Sequence, residues 1–286
     1  MHTTYTPTHP FGRQAFGAMR LHEADTDSER DPACVIGAAL DAGVHMIDTA
    51  DAYGNEAVVG AAIAGRREEV LLASKFGLVW REEVGGPYDV RADPDYVQQA
   101  MEASLGRLGV EHLDLYYLHA RSDEVPIEET VGAMAELVDQ GTVGRLGLSN
   151  VNASDLRRAA AVHRIDAVQE QWSLVHRPDT DLLDAAREVG AVVVAHSPTG
   201  HGLLHDGGTS PALRAELDAI AREQGATRGQ IALAWVHHRS AVHSLDVVPL
   251  PGTTCAGHVR ENVAAAELTL TADQLARLDQ VAEAPS

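Results

Sequence analysis

Val70-Leu-Leu-Ala-Ser-Lys-Phe-Gly77 is a short, nearly unbroken apolar run that ends in a cation, an aromatic and a glycine. Runs of this kind, without alternating polar positions, are what a strand covered on both faces requires, as in a parallel sheet. Lys75 is the sole lysine among 22 lysines and arginines. In a chain that otherwise uses arginine throughout, this position holds a compact ammonium whose pKa burial can tune. The planar, permanently charged guanidinium cannot do that. The stretch therefore predicts a buried parallel strand with a functional group at its end.

Working outward, the same couplet of helix and short apolar strand recurs along the chain. An apolar segment at Ala15–Leu21 comes first, then a helix near Pro32–Ala42 stopped by Gly43 and a strand Val44–Asp48. Helices near Glu56–Ala64, Pro94–Leu108, Ile127–Gln140 and Ala153–Val162 precede strands Val70–Lys75, Leu113–Leu118, Val143–Leu148 and Ala167–Gln169. A helix near Thr180–Val189 precedes strand Ala191–Ala195, and helices near Pro211–Glu223 and Arg228–His238 precede strand Val247–Pro249. Helices near Ala256–Ala265 and Ala272–Glu283 end the series. Eight strands, each followed by a helix, predict an α/β fold, a (β/α)8 TIM barrel, with an open doubly wound sheet as the alternative. No linker or composition shift divides the chain, so residues 1–286 are read as one domain.

Composition narrows the partners. With 42 acidic against 22 basic residues the formal charge is −20, which repels nucleic acid and anionic membranes, and any anionic ligand needs a local patch. No run reaches the length of a membrane span and the first residues lack a signal-peptide pattern, so a cytoplasmic protein acting on a small molecule is expected. Cys34 and Cys255 are far apart and the 15 histidines match no ligand spacing, so neither a disulfide nor a metal is expected.

Two long irregular stretches, Phe76–Asp93 and Ser197–Ser210, follow strands three and seven, on the face where barrel enzymes keep their sites. The strand ends carry polar groups: Asp48 after strand two with Tyr53 in the next loop, Lys75 after strand three, and His119 after strand four. An ammonium beside a phenol stabilises the phenolate, a carboxylate holds the ammonium charged, and an imidazole orients a carbonyl oxygen. Such a set gives a proton to an oxygen that is becoming an alkoxide.

At this point the chain resembles the aldo-keto reductases. The matching segments are Phe16-Gly-Ala-Met-Arg-Leu21, His45-Met-Ile-Asp-Thr-Ala-Asp-Ala-Tyr-Gly54, Ala73-Ser-Lys-Phe-Gly77 and Leu113-Asp-Leu-Tyr-Tyr-Leu-His119. Others are Gly147-Leu-Ser-Asn150, Gln169-Glu-Gln-Trp-Ser-Leu174, His196-Ser-Pro-Thr-Gly-His-Gly202 and Pro249-Leu-Pro-Gly252 through His258-Val-Arg-Glu-Asn262. The resemblance implies NADPH-dependent carbonyl reduction, with Tyr53 as general acid, Lys75 lowering its pKa, Asp48 as partner of Lys75 and His119 orienting the carbonyl. It also implies a cofactor site along Gly17, Ala18 and Met19, with Asp48, Ser149, Asn150 and Gln169 at the nicotinamide. His196 and then Ser197, Pro198, Thr199 and Gly200 would continue that site, which ends at Pro251, Gly252, Thr253, Thr254, His258, Glu261 and Asn262. The family binds its dinucleotide without a GxGxxG turn, and none is present here.

Two departures from the family stand out. His196 occupies the place of a tyrosine that stacks on the nicotinamide, which predicts weaker cofactor holding. Thr254 and Cys255 replace a common basic pair near the adenosine 2′-phosphate, which softens the preference for NADPH and admits NADH. Trp80, Tyr88 and Trp172 are expected to wall an aromatic mouth. About 35 residues follow Pro251, too few for a long tail over that mouth, so a sugar-like, pyridoxal-like or natural-product carbonyl is expected. The competing functional class is a non-catalytic cofactor-sensing regulator like the channel β subunits of the same superfamily.

Overall fold

The computed structural model describes residues 9–22, 28–82, 86–200 and 210–282. Eight strands run parallel in chain order around a ring: β1 (Phe16–Gly17), β2 (Met46–Asp48), β3 (Leu71–Phe76), β6 (Leu115–Leu118), β7 (Leu146–Ser149), β8 (Ala167–Gln171), β9 (Val192–His196) and β10 (Val247–Leu250). The ring closes between its first and last members. The amide of Ala15 donates to the carbonyl of Pro249 at 2.9 Å, and that of Gly17 to Pro251 at 3.0 Å. A Cβ on Gly252 would lie 2.7 Å from the carbonyl oxygen of Gly17, so this seam requires glycine.

Alternation along each strand sorts side chains into two cores. Met46, Ala73, Leu115, Tyr117, Ala167, Val192, Val194 and Val248 fill the barrel interior. Ile47, Leu72, Phe76, Tyr116, Leu118, Val168 and Val193 join the layer between barrel and helices. The Tyr117 ring crosses the interior because Gly147 leaves room for it, where a Cβ would lie 2.4 Å from the ring. Interior positions one step further along the strands are polar: Asp48, Lys75, His119 and Gln169, all buried.

The helices that position the site have sequence-encoded ends. α3 (Pro94–Leu108) starts at Asp93, whose carboxylate accepts the amide of Tyr96 at 3.1 Å, with Pro94 in the first turn. It ends at Gly109 in the left-handed conformation, φ 66°. α2 (Glu56–Ile63) packs unusually close to α3, since a Cβ on Gly60 would lie 2.1 Å from the carbonyl oxygen of Leu108.

Some boundaries differ from expectation. The first strand is two residues long, not the whole of Ala15–Leu21, and β3 continues through Phe76, which leaves Lys75 inside the strand. Phe76–Asp93 is not irregular throughout. Its β4 (Leu78–Trp80) and β5 (Tyr88–Val90) pair antiparallel as a hairpin. Its two strands are three residues each, too short to register as periodicity in sequence. Within the expected loop Ser197–Ser210, residues 201–209 lie outside the described residues, and His201 and Gly202 with them.

Candidate active site

Lys75 is fully buried at the barrel mouth, 0% exposed. Its ammonium donates to Oδ1 of Asp48, to the carbonyl of Thr49 at 2.8 Å and to the hydroxyl of Tyr53 at 3.4 Å. Three acceptors thus use all three ammonium protons. The other carboxylate oxygen of Asp48 accepts the side-chain amide of Gln169 at 2.8 Å. Burial works against the charge on Lys75, but Asp48 and then the Tyr53 hydroxyl outweigh it and hold the ammonium above its ordinary pKa. Burial pushes the carboxyl of Asp48 upward, and Lys75 opposes that rise.

For Tyr53 the balance differs from expectation. Burial raises the phenol above its ordinary value, and the pull of Lys75 in the opposite direction offsets only part of that rise. Desolvation of the phenolate is the larger effect because the hydroxyl sits in an almost enclosed site. The His119 ring stands edge-on to Tyr53 with centroids 5.5 Å apart. Burial first, then the charges of Lys75 and His196, keep its imidazole well below the ordinary pKa. His119 is therefore a neutral hydrogen-bonding group near neutral pH, and its Nδ1 is buried without a partner.

The turn that carries Tyr53 is fastened from several sides. The 3-10 turn Asp51–Tyr53 begins shortly after the end of β2, and the indole of Trp80 donates to the carbonyl of Ala52 at 2.6 Å. Asn55, fully buried, accepts the Thr49 hydroxyl at 2.7 Å and donates to the carbonyls of Ala18 and Leu21, both at 2.8 Å. Thr49 and Asn55 escaped the sequence reading. A buried asparagine that ties three loops looks like any turn asparagine until the loops are in place.

The residues expected around a cofactor gather on the same rim. Gly17 and the buried Ala18 lead to Met19, a large apolar side chain left 42% exposed. Ser149 ends β7, and the Asn150 amide donates to its hydroxyl at 3.1 Å and to the carbonyl of His119 at 2.8 Å. Asn150 and Ser197 hold φ of 52° and 50°, a left-handed conformation that non-glycine residues adopt at a cost of about 1 kcal/mol or more. Both follow strand ends at the mouth, where such strain concentrates. His196 ends β9 with its Nδ1 3.1 Å from the hydroxyl of Ser197; Pro198 and Gly200 are buried and Thr199 is half-buried.

After β10 the chain passes through Pro251 and Gly252 to Thr253, whose hydroxyl accepts the amide of Cys255 at 3.3 Å and lies 3.4 Å from Nδ1 of His258. The following helix (Ala256–Ala264) carries an exposed His258, an exposed Glu261 and a half-exposed Asn262, and Thr254 is half-exposed. The expected aromatic wall divides. Trp80 and Tyr88 face each other across the hairpin, centroids 5.7 Å apart, next to the Tyr53 turn. Trp172 is a correction: at 2% exposure it is packed edge-on against His243 inside the core, with no face left for a ligand.

The mouth of this parallel barrel thus buries an ammonium between a carboxylate and a tyrosine hydroxyl. The chain belongs to the aldo/keto reductase family, whose model matches residues 15–283. It is similar to the glycerol dehydrogenase of Gluconobacter oxydans, at 25% identity over 96% of this chain and 92% of that one, with a TM-score of 0.84. An aldo-keto reductase from Klebsiella pneumoniae solved in complex with NADPH is 31% identical over 96% and 92% of the two chains, with a TM-score of 0.79. The holo form of an aldo-keto reductase from Bacillus halodurans is 27% identical over 96% and 93%, with a TM-score of 0.78.

Proposed function

We propose that this protein reduces an aldehyde or ketone to the alcohol with NADPH, and catalyses the reverse oxidation. The observation that carries the reading is Lys75, enclosed completely and bonded to Asp48, Thr49 and the Tyr53 hydroxyl. The residues of the rim suit a nicotinamide cofactor. Beside their present bonds, Asn150 and Gln169 each retain a side-chain oxygen able to accept a carboxamide N–H. Strain at Asn150 and Ser197 is the kind that a bound ligand repays.

When bound, NADPH supplies the hydride. Tyr53 supplies the proton from its hydroxyl to the carbonyl oxygen, and Lys75 stabilises the phenolate left behind. Asp48 keeps Lys75 charged, and neutral His119 hydrogen-bonds the oxygen as it gains electron density. At the adenosine end, Thr253, Thr254, His258 and the helix N-terminus would hold phosphate with little fixed positive charge, so a modest preference for NADPH over NADH is expected. Glu261 and Asn262, on the same helix, would hold the adenine. Trp80 and the half-exposed Tyr88 offer a broad aromatic edge, which favours a sugar-like, pyridoxal-like or natural-product carbonyl.

The test is consumption of NADPH with a panel of aldehydes and ketones. Tyr53→Phe should lower kcat by about 10²-fold or more while leaving NADPH affinity intact. A variant that turns over at the wild-type rate would remove Tyr53 from the mechanism.

A further inference from the structure

Behind the turn that carries Tyr53 lies a second polar pocket, for which the reaction proposed above has no use. Ser74, the neighbour of Lys75 on β3, faces outward and donates to the fully buried Glu56 at 2.5 Å. Arg107 of α3 donates to the other oxygen of Glu56 at 2.7 Å and to Ser104 at 3.2 Å. Asp51 belongs to the same turn as Tyr53, and its Oδ1 is buried with no hydrogen-bond partner. The hydroxyl of Tyr116 on β6, which feels the charge of Asp51, is likewise buried and unpartnered.

We propose that Asp51 is a positioning residue whose gain or loss of a proton resets the electrostatic surroundings of Tyr53, two residues along the same turn. The proposal rests on the reading of Tyr53 as the proton donor. An ionised carboxylate with an enclosed, unpartnered Oδ1 costs far more than the protonated acid in the same place. Among the described residues, the charged and titratable groups that act on Asp51 are Glu56 on α2, Arg107 and Tyr96 on α3, Lys75 on β3, Tyr116 on β6 and Tyr53 on its own turn. Burial first, then Glu56, raise its carboxyl to about 7, against the weaker pull of the Ala52 amide and then of Arg107 and Lys75. Asp51 thus takes or gives its proton near neutral pH. Once ionised it pushes the Tyr53 phenol upward and disfavours the phenolate that the oxidation direction needs.

Asp51→Asn removes the charge and keeps the shape. In the alcohol-oxidising direction the alkaline limb of kcat should move to lower pH. The inflection near neutrality should disappear from the kcat/KM profile of reduction. A stability measurement guards against a merely structural effect. The folded pKa of Asp51 lies above its unfolded value, so the native state loses stability as pH rises between the two and bears the full penalty above both. Asp51→Asn should therefore melt about 3 °C or more above wild type near pH 8, a gap that closes toward pH 4. Asp51→Ala should shift the kinetic limb in the same direction. If both variants keep the wild-type profile while Tyr53→Phe is inactive, the proposal for Asp51 fails and the reading of Tyr53 stands. If Tyr53→Phe remains active, the reading of Tyr53 falls and the Asp51 proposal with it.

Discussion

Two consecutive residues of β3 serve two polar pockets on opposite faces of one strand. Lys75, itself fully buried, points into the barrel, where Asp48, Thr49 and Tyr53 take its three protons. Ser74 points outward to Glu56, whose cation partner Arg107 leaves its side chain 43% exposed. The inner pair has no solvent to screen it, so its field reaches Tyr53 at full strength; the outer pair is partly screened by water at Arg107. The comparison explains the distribution of cations. Arginine suits the outer pocket, where a fork spans Glu56 and Ser104, and lysine suits the inner one, where three acceptors surround a point charge.

Exchanging the inner cation should break this comparison most severely. Lys75→Arg keeps the charge, but a wide planar group does not fit between Asp48, Thr49 and Tyr53, and kcat should fall by about 10²-fold or more. Near-normal turnover of that variant would mean that charge alone suffices and that the geometry of the ammonium is incidental. The outer pocket should respond in stability instead of rate. Glu56→Ala deprives Ser74 and Arg107 of their acceptor and should cost about 2 kcal/mol in denaturant unfolding, with Tyr53 chemistry reduced far less than by Lys75→Arg. A variant of Glu56 as stable as wild type but inactive would reverse the roles assigned to the two faces.

The smallest effects belong to the rim, away from both pockets. His196→Tyr enlarges the ring at the end of β9 and should tighten NADPH binding by about threefold, read from the dissociation constant of the binary complex. Thr254→Lys should raise the ratio of kcat/KM for NADPH over NADH by about tenfold. An unchanged ratio would mean that His258 and the helix terminus already hold the phosphate.

Much of the inner site was legible because its residues lie at strand ends or within one position of them. A strand end in a parallel barrel has one destination, so Asp48, Lys75 and His119 converge once the strand count is known. Lys75 announced itself further by being the single lysine. Trp172 was misread because it lies just past a strand end, where the backbone turns and neither face of the chain has a fixed destination. Packing sent it against His243 instead of the mouth. Gln169 was assigned only to the nicotinamide, yet its side-chain amide also holds the second oxygen of Asp48. That bond joins residues 121 positions apart, a distance no local pattern spans.

The sequence by itself determined the barrel, the order of its strands and which polar residues meet at its mouth, because hydrophobic runs and strand ends are local features with a fixed period. Tertiary structure alone decided the rest: which side chains lose all contact with water and which charges face one another. Burial outweighs Lys75 at Tyr53, and burial, then the charge of Glu56, raise Asp51 to about 7. Desolvation depends on everything packed around a group, and only the folded chain assembles those surroundings.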